Sequence, residues 1–231
     1  MKMNFQEIDQ LLSDKRNSHQ VYEKLKMQIV SEGEIDVELL WRFIQSCHQK
    51  ALFSGTFNEK KNILIEGRNH AQQAVHTHPN HPNLLKFAAM VTGKSVEFVG
   101  LTDKVRQGKL FKEYLDSASE LLPDDTRLLH LRARYKFSMS QMNWIERKAI
   151  NAVFMVAPDH TIDEALEDLL EVYRKEPTWL DNLLYIAKSY HVKKDKVKAL
   201  EFVEKCLHET AIDDEDFHHQ KEAKELMGKC K

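Results

Sequence analysis

The chain has 231 residues, of which 42% are apolar, and it contains only seven glycines and five prolines. So few helix breakers in a sequence rich in Leu, Ala, Glu and Lys argue against a sheet-based fold and predict an all-α protein. No apolar run approaches the roughly 20 residues that span a bilayer, and the N-terminus lacks the apolar stretch of a signal peptide. The three cysteines have no paired spacing, which is typical of a reducing compartment, so we expect a cytoplasmic protein.

The formal net charge of −2 is unevenly distributed along the chain. Residues 1–50 carry −1, residues 51–150 carry +5 and residues 151–231 carry −6. A basic middle beside an acidic C-terminal third predicts an anionic partner for the middle region. The alternative is that long helices simply carry many solvated charges.

In chain order, apolar periodicity and helix-end signals predict twelve helices. They cover approximately residues 4–14, 17–31, 36–53, 58–77, 83–97, 102–121, 125–141, 143–154, 161–175, 179–192, 196–209 and 215–228.

Three prolines, Pro79, Pro123 and Pro177, occupy matching contexts between these helices. In each case an apolar residue precedes the proline by five positions, and a Leu-Leu pair follows by five or six. Because proline lacks an N–H and crowds the preceding turn, it ends one helix, and a polar turn with Asn, Asp or Thr then caps the next. The pattern indicates repeated helical hairpins.

Small residues at Ala89, Ala133 and Ala187 suit the close helix crossings of a tetratricopeptide-like repeat. The prolines lie 44 and 54 residues apart, which exceeds the repeat length of about 34 and predicts insertions. We therefore expect an all-α, tetratricopeptide-like antiparallel helical-hairpin solenoid with an inserted extra helix. Residues 1–35 would form N-terminal capping helices, and residues 36–231 would form one continuous repeat array.

The turn His76-Thr-His-Pro-Asn-His-Pro82 holds three histidines. A closed zinc site typically takes four ligands, and no Cys or acidic residue lies within this stretch. We interpret it as a turn between helices and predict no metal site. The sequence also lacks a Gly-rich phosphate loop, a nucleophile elbow and an HExxH motif, so we predict no cofactor, no catalytic residue and no enzymatic activity.

Five segments of the sequence resemble the regulator of microtubule dynamics family. The block Asn143-Trp-Ile-Glu-Arg-Lys148 is the most specific, because an ordinary tetratricopeptide repeat has no counterpart to it. The others are Val37-Glu-Leu-Leu-Trp-Arg-Phe-Ile44, Ile65-Glu-Gly-Arg-Asn-His-Ala71, Lys112-Glu-Tyr-Leu-Asp-Ser-Ala-Ser-Glu-Leu-Leu-Pro-Asp-Asp125 and Leu129-His-Leu-Arg-Ala-Arg-Tyr135. Their order and spacing cover roughly residues 36–210.

The resemblance implies a non-enzymatic cytoplasmic protein that binds microtubules and acts in spindle behaviour and chromosome segregation. The expected partners are tubulin or microtubules and another spindle or adaptor protein, with no nucleic acid. The expected location is the cytoskeleton, the spindle and the spindle poles, and the expected state is a monomer. Some relatives carry an N-terminal membrane anchor, which this sequence does not show. Phospholipid binding in the repeat groove, for transfer or tethering, is the alternative function.

The candidate partner-binding residues lie on the first helix of each hairpin, facing away from the small packing positions. They are Lys86, Arg127, His130, Arg134 and Lys188. Arg127, His130 and Arg134 are spaced i, i+3, i+7 and so share one side of a helix. These cations would suit an acidic extended segment such as the tubulin C-terminal tail. The alternative is that some of them pair with acids on a neighbouring helix.

A secondary basic patch consists of Lys104, Arg106, Lys109 and Lys112. Its spacing spreads the charges over much of one helix, which is more typical of a solvated face. For the lipid alternative, a cavity would be lined by Phe87, Met90, Phe137, Met139, Met142 and Phe154, although such residues are usually core. A cochaperone clamp for a C-terminal carboxylate is a weaker alternative, because Met90 and Arg134 stand where Asn and Lys are needed.

Overall fold

The computed structural model describes residues 4–31, 36–154 and 159–230, and within these ranges the chain is helical with no β-strand. The α-helices are α1 (Phe5–Leu12), α2 (Ser18–Ser31), α3 (Val37–Leu52), α4 (Phe57–Thr77), α5 (Pro82–Ser95), α6 (Leu101–Leu121), α7 (Thr126–Ser140), α8 (Trp144–Phe154), α9 (Ile162–Lys175), α10 (Leu180–Val192), α11 (Lys196–His208) and α12 (Asp214–Cys230). Short 3₁₀ segments cover Lys15–Asn17 and Val96–Phe98. The all-α prediction is confirmed, and the predicted helix ends are within three residues of the observed ones. No helix in the described ranges is both long and apolar enough to cross a membrane.

The helix starts show which side chains satisfy the free N–H groups of the first turn. The predicted polar cap is correct at α7, where the Asp125 carboxylate accepts from the N–H groups of Arg127 and Leu128. It is wrong at α5, where the Nδ1 atom of His81 accepts from the N–H of Leu84 at 3.2 Å. An imidazole acceptor nitrogen can therefore replace the carboxylate or amide. The prediction is also wrong at α10, where Trp179 occupies the cap position without a side-chain bond.

The chain divides into two compact units, Met1–Pro123 and Asp124–Lys231. The predicted boundary after the capping helices falls beside residues 32–35, which lie outside the described residues. The single continuous array of residues 36–231 stays a prediction.

In the first unit, α3 packs against α1, α2, α4 and α5, and α6 packs against α5. The contact between α3 and α4 is close at Gly67, where an added Cβ would lie 2.8 Å from the Cβ of Cys47. Phe43, Leu64 and Leu85 are fully buried in this core. The close crossing therefore depends on the absence of a side chain at residue 67.

In the second unit, α7 packs against α9, so α8 is inserted in sequence between two helices that contact each other. Helix α10 packs against α9, α11 and α12. The predicted small positions Ala133 and Ala187 are completely buried, together with Leu169, Leu183 and Val203. This packing fixes the faces of α7, α10 and α12 that carry the candidate functional residues.

Candidate functional site

A buried carboxylate, Asp181 at the start of α10, organises the charged residues of α7. Its Oδ2 atom accepts hydrogen bonds from Nη1 of Arg134 at 2.8 Å and from Nε2 of His130 at 3.0 Å. Nε2 of His219, on α12, lies 3.4 Å from the other carboxylate oxygen. Burial acts to raise the pKa of Asp181, but the charges of Arg134 and His130 outweigh it and hold the pKa well below its usual range. Asp181 is therefore ionised and joins three helices.

His130 is a structural member of this cluster, because only 2% of its surface is exposed. The Nδ2 group of Asn182 donates to the carbonyl of Leu169, which leaves Oδ1 of Asn182 facing Nδ1 of His130 at 3.1 Å. Both ring nitrogens of His130 thus face acceptor oxygens, and the ring packs on Trp179 with centroids 4.2 Å apart. Because His130 is buried, a binding partner cannot touch it directly and could be affected by it only through the residues around it.

Arg134 is also committed to a neighbouring helix. Besides Asp181, it donates to the hydroxyl of Tyr185 at 3.2 Å, and its guanidinium lies 4.6 Å from the centre of that ring. Burial opposes the charged form, but the adjacent Asp181 carboxylate raises the pKa of Arg134 above its ordinary value. The pairing with acids that we considered as the alternative therefore describes both Arg134 and His130.

The remaining predicted residues have three different environments. Lys188 forms an ion pair with Glu222 of α12 and lies 4.7 Å from the Tyr185 ring centre, so Tyr185 contacts two of the predicted cations. Arg127 is exposed in the first turn of α7. Lys86 belongs to α5 of the first unit, with its ammonium 5.4 Å from the ring centre of Phe87. The structure thus gathers His130, Arg134 and Lys188 around α10.

A surface groove of about 420 Å³ lies among α7, α10 and α12, and we call it the α12 groove. Its lining combines apolar side chains with several bases and two acids: Phe137, Val192, Leu226, Lys188, His191, His218, Lys221, Lys229, Glu222 and Glu225. Phe137 packs edge-on against Tyr185, with centroids 5.2 Å apart. This ring contact links the groove to the Arg134–Tyr185–Lys188 contacts.

The acids and bases of the groove are only partly matched. Glu222 pairs with Lys188 and with His218, whose Nε2 atom is 2.9 Å away. Although burial opposes it, the hydrogen bond from Lys188 lowers the pKa of Glu222. Lys221 and Lys229 are exposed and have no ion pair within the described part of the chain. The groove therefore presents two uncommitted ammonium groups.

Our sequence reasoning missed the contribution of α12 to this groove. It placed the candidate binding residues on the first helix of each hairpin and assigned none of them to the last helix. A signal was nevertheless present, because Lys221, Glu225 and Lys229 are spaced i, i+4, i+8 and lie along one side of a helix.

The secondary basic patch of the first unit is largely balanced by acids of its own helix. Arg106 pairs with Asp103 at 2.8 Å, and Lys112 pairs with Asp116 at 2.5 Å. The ammonium of Lys109 lies 3.9 Å from Glu113. These i, i+3 and i, i+4 pairs are typical of a solvated helix face.

The three-histidine turn joins α4 to α5. His76 lies in the last turn of α4, and His78 occupies its C-terminal cap. Because Nδ1 of His81 accepts the cap hydrogen bond, its Nε2 carries the proton that Glu38 accepts at 3.0 Å. Among the residues that the structure describes, no three His, Cys, Asp or Glu side chains are grouped as ligands for a metal ion.

Comparison with known proteins gives a consistent result over nearly the whole chain. The family model described as "Regulator of microtubule dynamics protein 1-3" matches residues 4–231. The chain is 34% identical over 200 residues to regulator of microtubule dynamics protein 1 of Caenorhabditis elegans, covering 86% of this chain and 88% of that protein. It is 30% identical over 227 residues to regulator of microtubule dynamics protein 2 of Homo sapiens, covering 98% of this chain and 55% of that protein.

A third relative, regulator of microtubule dynamics protein 1 of Bos taurus, is 28% identical over 218 residues, which cover 94% of this chain and 68% of that protein. The chain thus spans most of the nematode relative but about half of the human one. The resemblance identified from the sequence is confirmed: the chain belongs to the regulator of microtubule dynamics protein 1-3 family.

Proposed function

We propose that this chain is a non-enzymatic, cytoplasmic microtubule-associated protein that regulates microtubule dynamics in the spindle and acts in chromosome segregation. Its relatives carry names that refer to microtubule dynamics. The observation that carries the proposal is the α12 groove, whose Lys221 and Lys229 have no ion pair within the described residues. Such a groove suits an acidic protein segment, and the C-terminal tails of tubulin have that chemistry.

In this proposal the contacts are divided between exposed and buried residues. Lys221 and Lys229 meet the partner's carboxylates, and Arg127 extends the basic face at the start of α7. Lys188 stays paired with Glu222 and supplies no free charge. Arg134 and His130 hold α10 in place through Asp181 and do not touch the partner. Exposed charge pairs are screened within about 8–10 Å at physiological salt, so binding should weaken as salt rises.

We further infer a tetratricopeptide-like solenoid. Supporting this, successive helices pack as the pairs α3–α4, α5–α6, α7–α9 and α10–α11. Ala89, Ala133 and Ala187 are completely buried, as small residues at helix crossings should be. In such an array the α12 groove lies on the face formed by alternate helices, which is where repeat proteins present extended binding surfaces.

The test is co-sedimentation with taxol-stabilised microtubules at low and high salt, with and without removal of the tubulin tails by limited proteolysis. We compare the double variant Lys221→Gln/Lys229→Gln with Lys224→Gln, an exposed α12 lysine outside the groove lining. Each exposed lysine contributes up to about 1 kcal/mol, so the double variant should bind several-fold more weakly. Lys224→Gln should bind like the unchanged chain.

Full binding to tail-free microtubules would contradict the groove assignment and move the contact elsewhere on the protein. Absence of binding in every condition would contradict direct association and favour attachment through another spindle or adaptor protein. Charge reversal of Arg134 is a poor test, because a carboxylate placed beside Asp181 would disrupt the fold.

The alternative, a phospholipid-binding module for transfer or tethering, is favoured by Phe137, Val192 and Leu226 in the groove wall. Of the other residues that we considered for a lipid cavity, Phe87 stacks on Trp41 in the first unit with centroids 5.7 Å apart. The side chain of Phe154 lies outside the described residues. Lipid extracted from the purified chain and identified by mass spectrometry would support this alternative, and lipid-free protein would count against it.

A further inference from the structure

Three of the charged residues of α12 that line the α12 groove alternate in sign along the helix, and this arrangement should select among acidic segments. Lys221, Glu225 and Lys229 are spaced i, i+4, i+8 on α12, and all three line the groove. At 1.5 Å per residue, the two lysines are about 12 Å apart along the helix axis. The groove therefore places positive charge at two ends and negative charge between them.

Apolar side chains line the same groove as this central negative charge. Phe137 is half-buried, Val192 at the end of α10 is 37% exposed, and Leu226 is next to Glu225 in the chain. The two acids of the groove lining differ in their ion pairing. Glu222 is paired with Lys188 and His218, whereas Glu225 is exposed and has no ion pair among the described residues. A carboxylate placed at the centre of the groove would be repelled by Glu225, while an apolar side chain there would gain contact with Phe137 and Val192.

The spacing of the lysines matches an extended peptide. A strand rises about 3.3 Å per residue and places residues i, i+2 and i+4 on one face. Residues i and i+4 of a strand are therefore about 13 Å apart, which is close to the separation of Lys221 and Lys229 along α12.

We propose that the α12 groove selects an extended segment of the pattern acidic–x–apolar–x–acidic, where x is any residue. The outer carboxylates meet Lys221 and Lys229, and the central apolar side chain rests on Phe137 and Val192. The inference rests on the proposed function, because it specifies which acidic segment the groove takes. It adds a ranking among acidic segments: one with an apolar residue between its two acids should bind more tightly than a uniformly acidic run of the same length.

The experiment measures the binding of labelled, capped peptides to the whole chain by fluorescence anisotropy at low salt. The three peptides share one length and contain Glu-Ala-Leu-Ala-Glu, Glu-Ala-Glu-Ala-Glu or Gln-Ala-Leu-Ala-Gln. Partial burial of the central Leu, together with relief of the repulsion from Glu225, should make the first peptide bind on the order of tenfold more tightly than the second. Loss of both carboxylates should make the third bind several-fold more weakly than the first.

Two variants and one control identify the residues responsible for this preference. The double variant Lys221→Gln/Lys229→Gln should bind the Leu-centred peptide several-fold more weakly. The control variant Lys224→Gln should bind this peptide as the unchanged chain does. Glu225→Gln should increase the affinity for the Glu-centred peptide more than the affinity for the Leu-centred one. The ratio of the two affinities should therefore become smaller. All of these positions are exposed, and circular dichroism verifies that each variant keeps its helices.

Equal or tighter binding of the Glu-centred peptide would overturn the inference, and so would an unchanged preference in Glu225→Gln. Failure to bind any peptide by a chain that still co-sediments with microtubules would overturn the inference alone. Selective binding of the Leu-centred peptide without co-sedimentation would count against the proposed function but not against the groove's selectivity. A further outcome is that no peptide binds, but the chain binds vesicles of anionic phospholipid and the double variant Lys221→Gln/Lys229→Gln does not. This result would overturn the inference and assign the groove to a lipid surface.

Discussion

The two units each contain a semi-buried ionic cluster, but the charge at the centre has opposite sign. In the first unit the centre is the Arg42 side chain, 9% exposed, which donates to Asp9 at 2.7 and 2.8 Å and to Glu38 at 2.9 Å. Its acids remain close to water, with Asp9 48% and Glu38 42% exposed. In the second unit the centre is the Asp181 carboxylate, 11% exposed.

The partners of Asp181 are buried more deeply than those of Arg42. The side chain of His130 is 2% exposed, that of His219 12% and that of Arg134 27%, and the guanidinium of Arg134 lies against Tyr185. A partner that can regain water loses little when an ion pair is broken, whereas a buried partner keeps an uncompensated charge. The comparison teaches that exposure of the partners, more than the number of bonds, decides how much a cluster contributes to stability.

The largest expected effect is that of Asp181→Asn. It removes the carboxylate from beside Arg134, His130 and His219, so the free energy of unfolding should fall by about 3–5 kcal/mol. Denaturant unfolding monitored by circular dichroism measures the loss. Glu167→Gln, on the exposed side of α9, is the control and should change stability by less than about 0.5 kcal/mol. A similarly small change for Asp181→Asn would end the distinction between the two clusters.

A packing change in the first unit should come next in size. The Cβ of Gly67→Ala would lie 2.8 Å from the Cβ of Cys47, a fixed atom that cannot rotate away, so α3 and α4 must separate. Overpacking of this kind costs about 1–3 kcal/mol, part of which the better helix propensity of Ala offsets.

Gly108→Ala in α6 is the matched control for Gly67→Ala, because its added Cβ has no atom within 4 Å. It should raise the free energy of unfolding by about 0.5–1 kcal/mol. Thermal unfolding of the two variants side by side gives the sign of each effect. If both variants were stabilised, α3 and α4 could separate slightly at little cost. The close packing at Gly67 would then not limit the stability of the first unit.

Arg42→Gln should cost less than Asp181→Asn, about 1–2 kcal/mol. Asp9 and Glu38 can be solvated when the guanidinium is removed, and the main loss is that of its hydrogen bonds and its packing over Trp41 at 4.1 Å. The same denaturant titration compares the two variants. A loss as large as that of Asp181→Asn would mean that the exposure of Asp9 and Glu38 does not protect the first unit.

The smallest effect should appear as a dependence on pH. Burial acts to raise the pKa of Glu38, but hydrogen bonds from His81, Trp41 and Arg42 prevail and lower it to about 2 from the ordinary 4.5. A lowered folded-state pKa gives stability that is present above pH 4.5 and is lost as the pH falls towards 2. Between these values the unchanged chain should lose more stability than Glu38→Gln. Parallel pH profiles of the denaturation midpoint would contradict this assignment.

Local patterns in the sequence were sufficient for the helices and their buried small positions. Apolar periodicity marks α7 and α10 because the face of a helix repeats every 3.6 residues, and the same count placed Ala133 and Ala187 in the core, where both are completely buried. Pro79, Pro123 and Pro177 each follow a helix end because they cannot continue it. These features depend on neighbouring residues only.

The candidate site depended on contacts between helices that are far apart in the chain. The spacing of Arg127, His130 and Arg134 predicts a shared side of α7, but Asp181, which holds two of them, is about fifty residues away. The ion pair between Lys188 and Glu222, and the groove that α12 completes, likewise require α10 and α12 to pack together. The sequence by itself determined the all-α class, the helix limits and the family, because those follow from local periodicity and from matching residues. Only the tertiary structure decided which cations are neutralised and which remain free, because a charge is paired by whatever carboxylate the packing of another helix brings within reach.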